Sequence, residues 1–250
     1  MANKKTALSK VAAGGLSMDR PEDAPGVSAV PPEKAKAKLL LELYRRLHDL
    51  YGDCGCPLEH SSPFQLLAAV MLSAQCRDER VNLVTKELFA LAPDAASMAA
   101  TPVETIAGII RPCGLFENKS RNLRDAAAML VEKFDGEVPR TMEELTSLPG
   151  IGRKSANVLL GNAFDIPGFP VDTHVKRLLN RIGVVDSDSP EAIEREVDAD
   201  LAPEYWSQFS HLLIRHGRQV CSAAKPRCEA CAVASLCRRR GVAAKGKKAR

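Results

Sequence analysis

Leu148-Pro149-Gly150-Ile151-Gly152-Arg153-Lys154-Ser155-Ala156-Asn157-Val158-Leu159-Leu160-Gly161-Asn162-Ala163-Phe164 is the run on which the fold turns. Its first half reads as a corner and its second half as a helix beginning at about Arg153. Glycines at 150 and 152 permit positive φ and let the backbone come close to a ligand. The free N–H groups and positive dipole end of the following helix point toward the same spot. A backbone phosphate suits such a place, since it takes charge-assisted hydrogen bonds without any reading of bases. A tight helix–turn–helix corner, with glycine needed only for packing, is the competing account. Gly150, Gly152 and Arg153 are therefore the candidate phosphate contacts.

Lys154 follows in the first turn of that helix, against an unfavourable dipole and ahead of small and apolar neighbours. An amine in such a place is a candidate nucleophile for a Schiff base. Downstream, the rigid segment Pro167 to Pro170 leads to Val171-Asp172-Thr173-His174-Val175, where another helix opens. Asp172 reads by itself as an N-cap. His174 and Arg177 lie one turn apart on the helix it opens, able to touch phosphates or to form a solvated face.

Further out, helix-start signals recur. Ser62-Pro63-Phe64-Gln65 and Thr101-Pro102-Val103-Glu104 each place proline at the first helical position, and Thr141-Met142-Glu143-Glu144 is a capping box. Asp78 is expected to cap a helix running to about Leu91, and Gly136 to close one from about Lys119 to Phe134. Ser189-Pro190 opens another, and Pro203 to His216 reads helical. Upstream, Leu39, Leu40, Leu43, Leu47 and Leu50 fall on one stripe of a helix from about Glu33 to Leu50. No segment alternates like a strand for long, so the fold class is all-α with roughly ten short helices.

Eight cysteines are spread unevenly, and Cys221-x6-Cys228-x2-Cys231-x5-Cys237 gathers four of them. No signal peptide is legible, so reduced thiols and a cytoplasmic setting are expected, and clustered cysteines there point to metal. Four thiolates can close around an iron–sulfur cubane or a tetrahedral zinc, and spacing alone leaves both open. Cys54-x-Cys56 is too closely spaced to chelate comfortably.

Leu148 to Phe164, followed by Val171-Asp172-Thr173-His174, resembles the helix-hairpin-helix and aspartate loop of DNA glycosylases. Leu72-Ser73-Ala74-Gln75 and Gly114-Leu115-Phe116 are similar to other parts of the endonuclease III family. The resemblance runs from about Leu39 to Cys237. Adenine-mismatch glycosylases place a small hydroxyl residue where Lys154 stands; endonuclease III-like enzymes carry the lysine. The resemblance implies a two-lobed glycosylase and AP lyase that removes oxidised pyrimidines from duplex DNA. Lys154 would attack C1′ of an extruded nucleotide, and Asp172 would favour the electron-deficient sugar and assist proton transfers. It also implies that Gln75 and Leu115 fill the gap left by the flipped nucleotide, and that the four clustered cysteines hold a [4Fe–4S] cluster. The sequence departs from the family at Cys76 and at Pro112-Cys113, beside those two gap-filling residues.

Composition fits this reading without announcing it. The chain has 250 residues, 45% of them hydrophobic and 26% charged, which excludes disorder throughout. The best apolar run, Phe64 to Leu72, is half the ~18 residues that a membrane span needs. Of the net charge of +4, the 13 residues from Arg238 hold seven basic side chains and no acid, and residues 39–237 are net acidic. The basic excess thus sits in the tails, as a polyanion contact or a solvated end. The expected organisation is an extension over 1–32, a cluster lobe of 33–56 plus 167–237, a six-helix bundle over 57–166 that ends in the hairpin, and a disordered basic tail over 238–250. The expected partner is double-stranded DNA with a damaged base or abasic site, bound by a monomer that is nucleoid-associated if bacterial. A monofunctional mismatch glycosylase and a non-enzymatic DNA-binding or redox module are the rivals, and Lys154 with Asp172 argues against both.

Overall fold

Local capping chemistry marks out the helices. The computed structural model describes residues 32–242, and every regular element among them is helical. In chain order these are α1 (Pro32–Tyr51), α2 (Pro63–Ser73), α3 (Asp78–Leu91), α4 (Ala95–Ala100), α5 (Val103–Ile110) and α6 (Phe116–Phe134). Then come α7 (Met142–Ser147), α8 (Arg153–Ala163), α9 (Thr173–Ile182), α10 (Pro190–Asp200) and α11 (Trp206–Gln219). Short 3₁₀ turns lie at Arg111–Cys113, Pro203–Tyr205, Cys228–Ala230 and Ala234–Leu236. No described helix is long and apolar enough to cross a membrane.

Several expected starts are built as the sequence suggested. The hydroxyls of Ser62, Thr141 and Ser189 accept from the backbone N–H of Gln65, Glu144 and Ala192. Others differ. Asp78 is not a cap; Arg77 holds that position without a side-chain bond, and Asp78 lies in the first turn of α3. Its carboxylate instead accepts from Arg218 at 2.7 Å, a partner 140 residues away. Thr101 does not cap α5 either, because its hydroxyl donates back to Ser97 O at 2.7 Å and Pro102 takes the cap position. The long helix α6 begins at Phe116, earlier than Lys119, after a left-handed Leu115. It ends with Asp135 and Gly136 both at positive φ, where the Gly136 N–H closes on Leu130 O at 2.9 Å. Leu50 leaves the buried stripe of α1 and is half exposed, whereas Leu40, Leu43 and Leu47 are fully buried.

Two hydrophobic cores result. One gathers buried side chains from Leu58 to Leu160, with α2 at its centre, buried at Phe64 and from Leu66 to Leu72. The other joins Leu40, Leu43, Leu47 and Cys54 to side chains between Phe169 and Val233. Pro32 onward nonetheless makes one compact unit. The cores meet where α8 passes under α11, so close that a Cβ on Gly161 would collide with the Ser207 hydroxyl.

The start of the basic tail is also structured, contrary to expectation. Arg238 and Arg240 donate backbone N–H groups to Ile182 O and Arg181 O, which adds a strap across the end of α9. Of the expected extension over 1–32, residues 1–31 lie outside the described residues and Pro32 already opens α1; the tail charges Lys245, Lys247, Lys248 and Arg250 also lie outside them.

Candidate functional site

The corner at 148–152 joins α7 to α8, with Ile151 N–H bonded to Leu148 O. Only Gly150 uses positive φ (79°), and a Cβ there would press on Asn122 and Met71 at 3.1 Å. Gly150 therefore has both a conformational and a packing reason to be glycine. Gly152 is extended (φ −100°) and would have open space around a Cβ. It caps α8 without a side chain, so nothing of its own covers the first N–H groups of the helix.

Arg153 points elsewhere. Its Nε and Nη2 both donate to the buried carboxylate of Glu194 on α10, at 2.9 Å each. Asn157 Nδ2 adds a third bond to the same carboxylate at 3.0 Å. This guanidinium ties the hairpin helix to the second core, and its fork is not turned outward to a phosphate. The hydrogen bonds it donates to Glu194 hold its pKa above the ordinary arginine value.

Lys154 is exposed at the start of α8, and Asp172 precedes α9. Both line one open cleft, together with Gln75, Arg77, His174 and Lys176. Asp172 does cap its helix: Oδ1 accepts from the N–H of His174 and of Val175 at 2.8 Å each. Both bonds fall on a single oxygen of a carboxylate that also faces the cleft. The loop carrying it is pinned from behind, since Ser207 and Ser210 donate to Gly168 O and Pro170 O. Gly168 is so tightly seated that a Cβ would lie 2.9 Å from Asn157 Oδ1.

His174 and Arg177 are brought together, 3.0 Å apart between Nδ1 and Nη2. Arg177 Nη2 also donates to Gly217 O and Cys221 O, and Nε to Cys221 O, which fastens α9 to the start of the cysteine loop. Burial, aided by Arg177 and Arg218 and opposed by Asp172, pushes the His174 ring below the ordinary histidine value. Gln75 and Leu115 both sit in left-handed backbone, at φ 56° and 49°. Leu115 is 56% exposed, unusual for a leucine in so constrained a turn. Two residues carried no site role in the sequence. Lys119 is buried beneath these turns, and Glu194 is buried behind the hairpin.

Cys221, Cys228, Cys231 and Cys237 line one partly open cavity, walled by Leu178, Ile182, Val220 and Val233. Among the described residues, no three His, Cys, Asp or Glu side chains stand close enough to grip a single metal ion. The sulfurs are spread around the cavity wall. Donors face them: Arg181 Nη1 lies 3.5 Å from Cys221 Sγ, and the Arg239 N–H lies 3.3 Å from Cys237 Sγ. His216 Nε2 is 3.3 Å from Cys231 Sγ, and burial holds that ring down at about 4. Burial pushes the Cys231 and Cys237 thiols up, a cost that ligation to a metal would offset. Cys54 and Cys56 are not among the residues around this cavity.

The whole architecture has known counterparts. Residues 68–203 match the model of the HhH-GPD superfamily of base excision DNA repair proteins. The chain is 46% identical over 204 residues to endonuclease III of Synechocystis sp., covering 81% of this chain and 93% of that one. With endonuclease III of Escherichia coli it shares 40% over 202 residues, covering 81% and 95%. Among solved structures, a non-covalent endonuclease III–DNA complex superposes with a TM-score of 0.78 at 41% identity, covering 81% and 95%. A trapped covalent endonuclease III–DNA intermediate does so with the same TM-score and identity, covering 81% and 96%. A hairpin, a lysine-bearing helix and a four-cysteine loop on one helical frame, matched at this identity over this length, make the chain a member of the endonuclease III family.

Proposed function

We propose that this protein is a bifunctional DNA glycosylase and AP lyase of base excision repair, acting as a monomer on oxidised pyrimidines and abasic sites in double-stranded DNA. In the cell it works on DNA in the cytoplasm, at the nucleoid in a bacterium. The observation that carries the proposal is the convergence of Lys154 and Asp172, each at the start of a helix, on one open cleft beside the hairpin.

Gly150 and Gly152 bring backbone N–H groups to a phosphate, which fixes the strand beside the cleft. Gln75 and Leu115 occupy the gap left in the stack, an apolar wedge and a polar group toward the orphaned base. Lys154 Nζ attacks C1′; the N–C1′ bond forms as the bond to the base breaks and the electron pair leaves with the base. The amine then loses a proton, and its lone pair forms the C=N bond as the C1′–O4′ bond breaks and O4′ is protonated, which opens the sugar to a protonated imine. Removal of a 2′ proton then expels the 3′ phosphate by β-elimination, which nicks the strand. Asp172 stabilises positive charge on the sugar and relays protons at the amine, using the oxygen not committed to the helix cap.

The four clustered cysteines suit a [4Fe–4S] cluster, because a cubane spaces its thiolates more widely than one zinc ion would. Cys221, Cys228, Cys231 and Cys237 would hold the cluster, and it would supply a cross-link across the 221–237 loop. The lobe reading, 33–56 plus 167–237 against 57–166, is supported by the two separate cores.

Borohydride trapping on an abasic duplex tests the proposal. A covalent protein–DNA adduct is expected. Base release from a duplex carrying an oxidised pyrimidine, with no adduct on the abasic one, would favour a monofunctional glycosylase, and binding without either would favour a non-enzymatic module.

A further inference from the structure

Lys119 is 7% exposed, and no carboxylate pairs with it among the described residues. A buried ammonium is costly unless its donors are well used. Its Nζ donates to Leu72 O and to Cys113 O, each at 2.9 Å. Those carbonyls belong to two different elements, and both stand at a C-terminal end. Leu72 is in the last turn of α2, and Cys113 closes the 3₁₀ turn Arg111–Cys113. Such ends carry unpaired carbonyls and partial negative charge, so one cation serves both. Burial lowers the Lys119 pKa from the ordinary lysine value, opposed by Cys113 and Cys76.

What lies just beyond each carbonyl gives the contact its purpose. Three residues after Leu72 the chain turns left-handed at Gln75, and two after Cys113 it does so at Leu115. Non-glycine residues adopt that conformation at a cost of about 1 kcal/mol or more, and surrounding structure must hold them there. The two turns are 40 residues apart in sequence, and Lys119 bonds the backbone just ahead of each.

We infer that Lys119 is a positioning residue that fixes Gln75 and Leu115 relative to one another, so that both enter the DNA stack as one unit when a nucleotide is extruded. The inference rests on the proposed glycosylase reading. It makes extrusion, and not the chemistry at C1′, the step that depends on Lys119.

The experiment compares wild type with Lys119→Met on two substrates under single-turnover conditions. One is a fully paired duplex carrying thymine glycol; the other is an abasic site within an unpaired bubble, which needs no extrusion. Excision from the paired duplex should fall about 10- to 100-fold, as for a misplaced positioning element. Borohydride trapping on the bubble should stay within about twofold, since the reacting groups are untouched. A 2-aminopurine beside the lesion should lose the fluorescence rise that reports local unstacking. Equal losses on both substrates, or no loss on either, would overturn the inference. Should Lys119→Met not fold, Lys119→Gln carries the same comparison with a neutral donor, and failure of both to fold would assign the lysine a purely structural role. Wild-type protein that traps on neither substrate would instead defeat the glycosylase reading.

Discussion

Asp198 carries the one buried side-chain oxygen, Oδ1, that has no hydrogen-bond partner among the described residues. Burial and the neighbouring Glu194, opposed by Arg153, push its pKa up to about 6. A carboxyl raised in the folded state stabilises most below its unfolded pKa, and that contribution fades as pH rises through about 6. Asp198→Asn should therefore gain on wild type between pH 4.5 and 7.5, by about 1–2 kcal/mol after allowance for solvent screening. Urea melts at both pH values check this, and a gap independent of pH would defeat it. In the cleft, Lys154→Ala should abolish borohydride trapping while DNA affinity largely remains, because the hairpin is untouched. Asp172→Asn should keep the fold, since asparagine caps as well as aspartate. It should still slow excision by about 10²-fold through loss of a placed charge. Near-normal excision would leave Asp172 as a cap and nothing more.

Among the elements, the cysteine loop gives the most direct test. Protein purified anaerobically from iron-replete cells should be brown, with about four irons per chain. Replacing Cys228 or Cys231 by alanine should lower that content, whereas Cys54→Ser and Cys56→Ser should not. Colourless protein with one zinc would overturn the assignment. The helices around this loop also mark how far a sequence can be read. Ser62, Thr141 and Ser189 act within three residues, so their capping was legible. Arg153 and Arg177 were not, because the partners that turn them inward lie 41 and 44 residues away. A basic residue near a phosphate loop reads as a phosphate ligand until its carboxylate is seen. Lys119 was hidden for the same reason: its partners are backbone carbonyls, which no side-chain pattern reveals. Lys154 and Asp172 could be named because family resemblance supplied a role that local chemistry left open.

Across the whole molecule, the two cores are joined by polar seams as well as by packing. Arg153 and Asn157 on α8 meet Glu194 on α10, and Arg218 on α11 meets Asp78 on α3. Glu194 is buried, while its partner Arg153 is half exposed, so water can take up part of what the pair loses. Breaking a fully buried pair costs about 3–5 kcal/mol, and the half-exposed arginine brings the expectation for Glu194→Ala to about 2 kcal/mol. The seam also sits directly behind Lys154, so loosening it should lower excision without removing a reacting group. Trp206, the only tryptophan, lies beside the second core and reports that part of the chain by fluorescence. Far-UV circular dichroism reports helices around both cores. In wild type the two signals should melt together, as one cooperative unit joined across the seam. In Glu194→Ala the Trp206 transition should separate from the circular dichroism transition as the cores uncouple. Coincident melts in the variant, at an unchanged midpoint, would mean that α8–α11 packing joins the cores and that the buried carboxylate adds nothing to the junction.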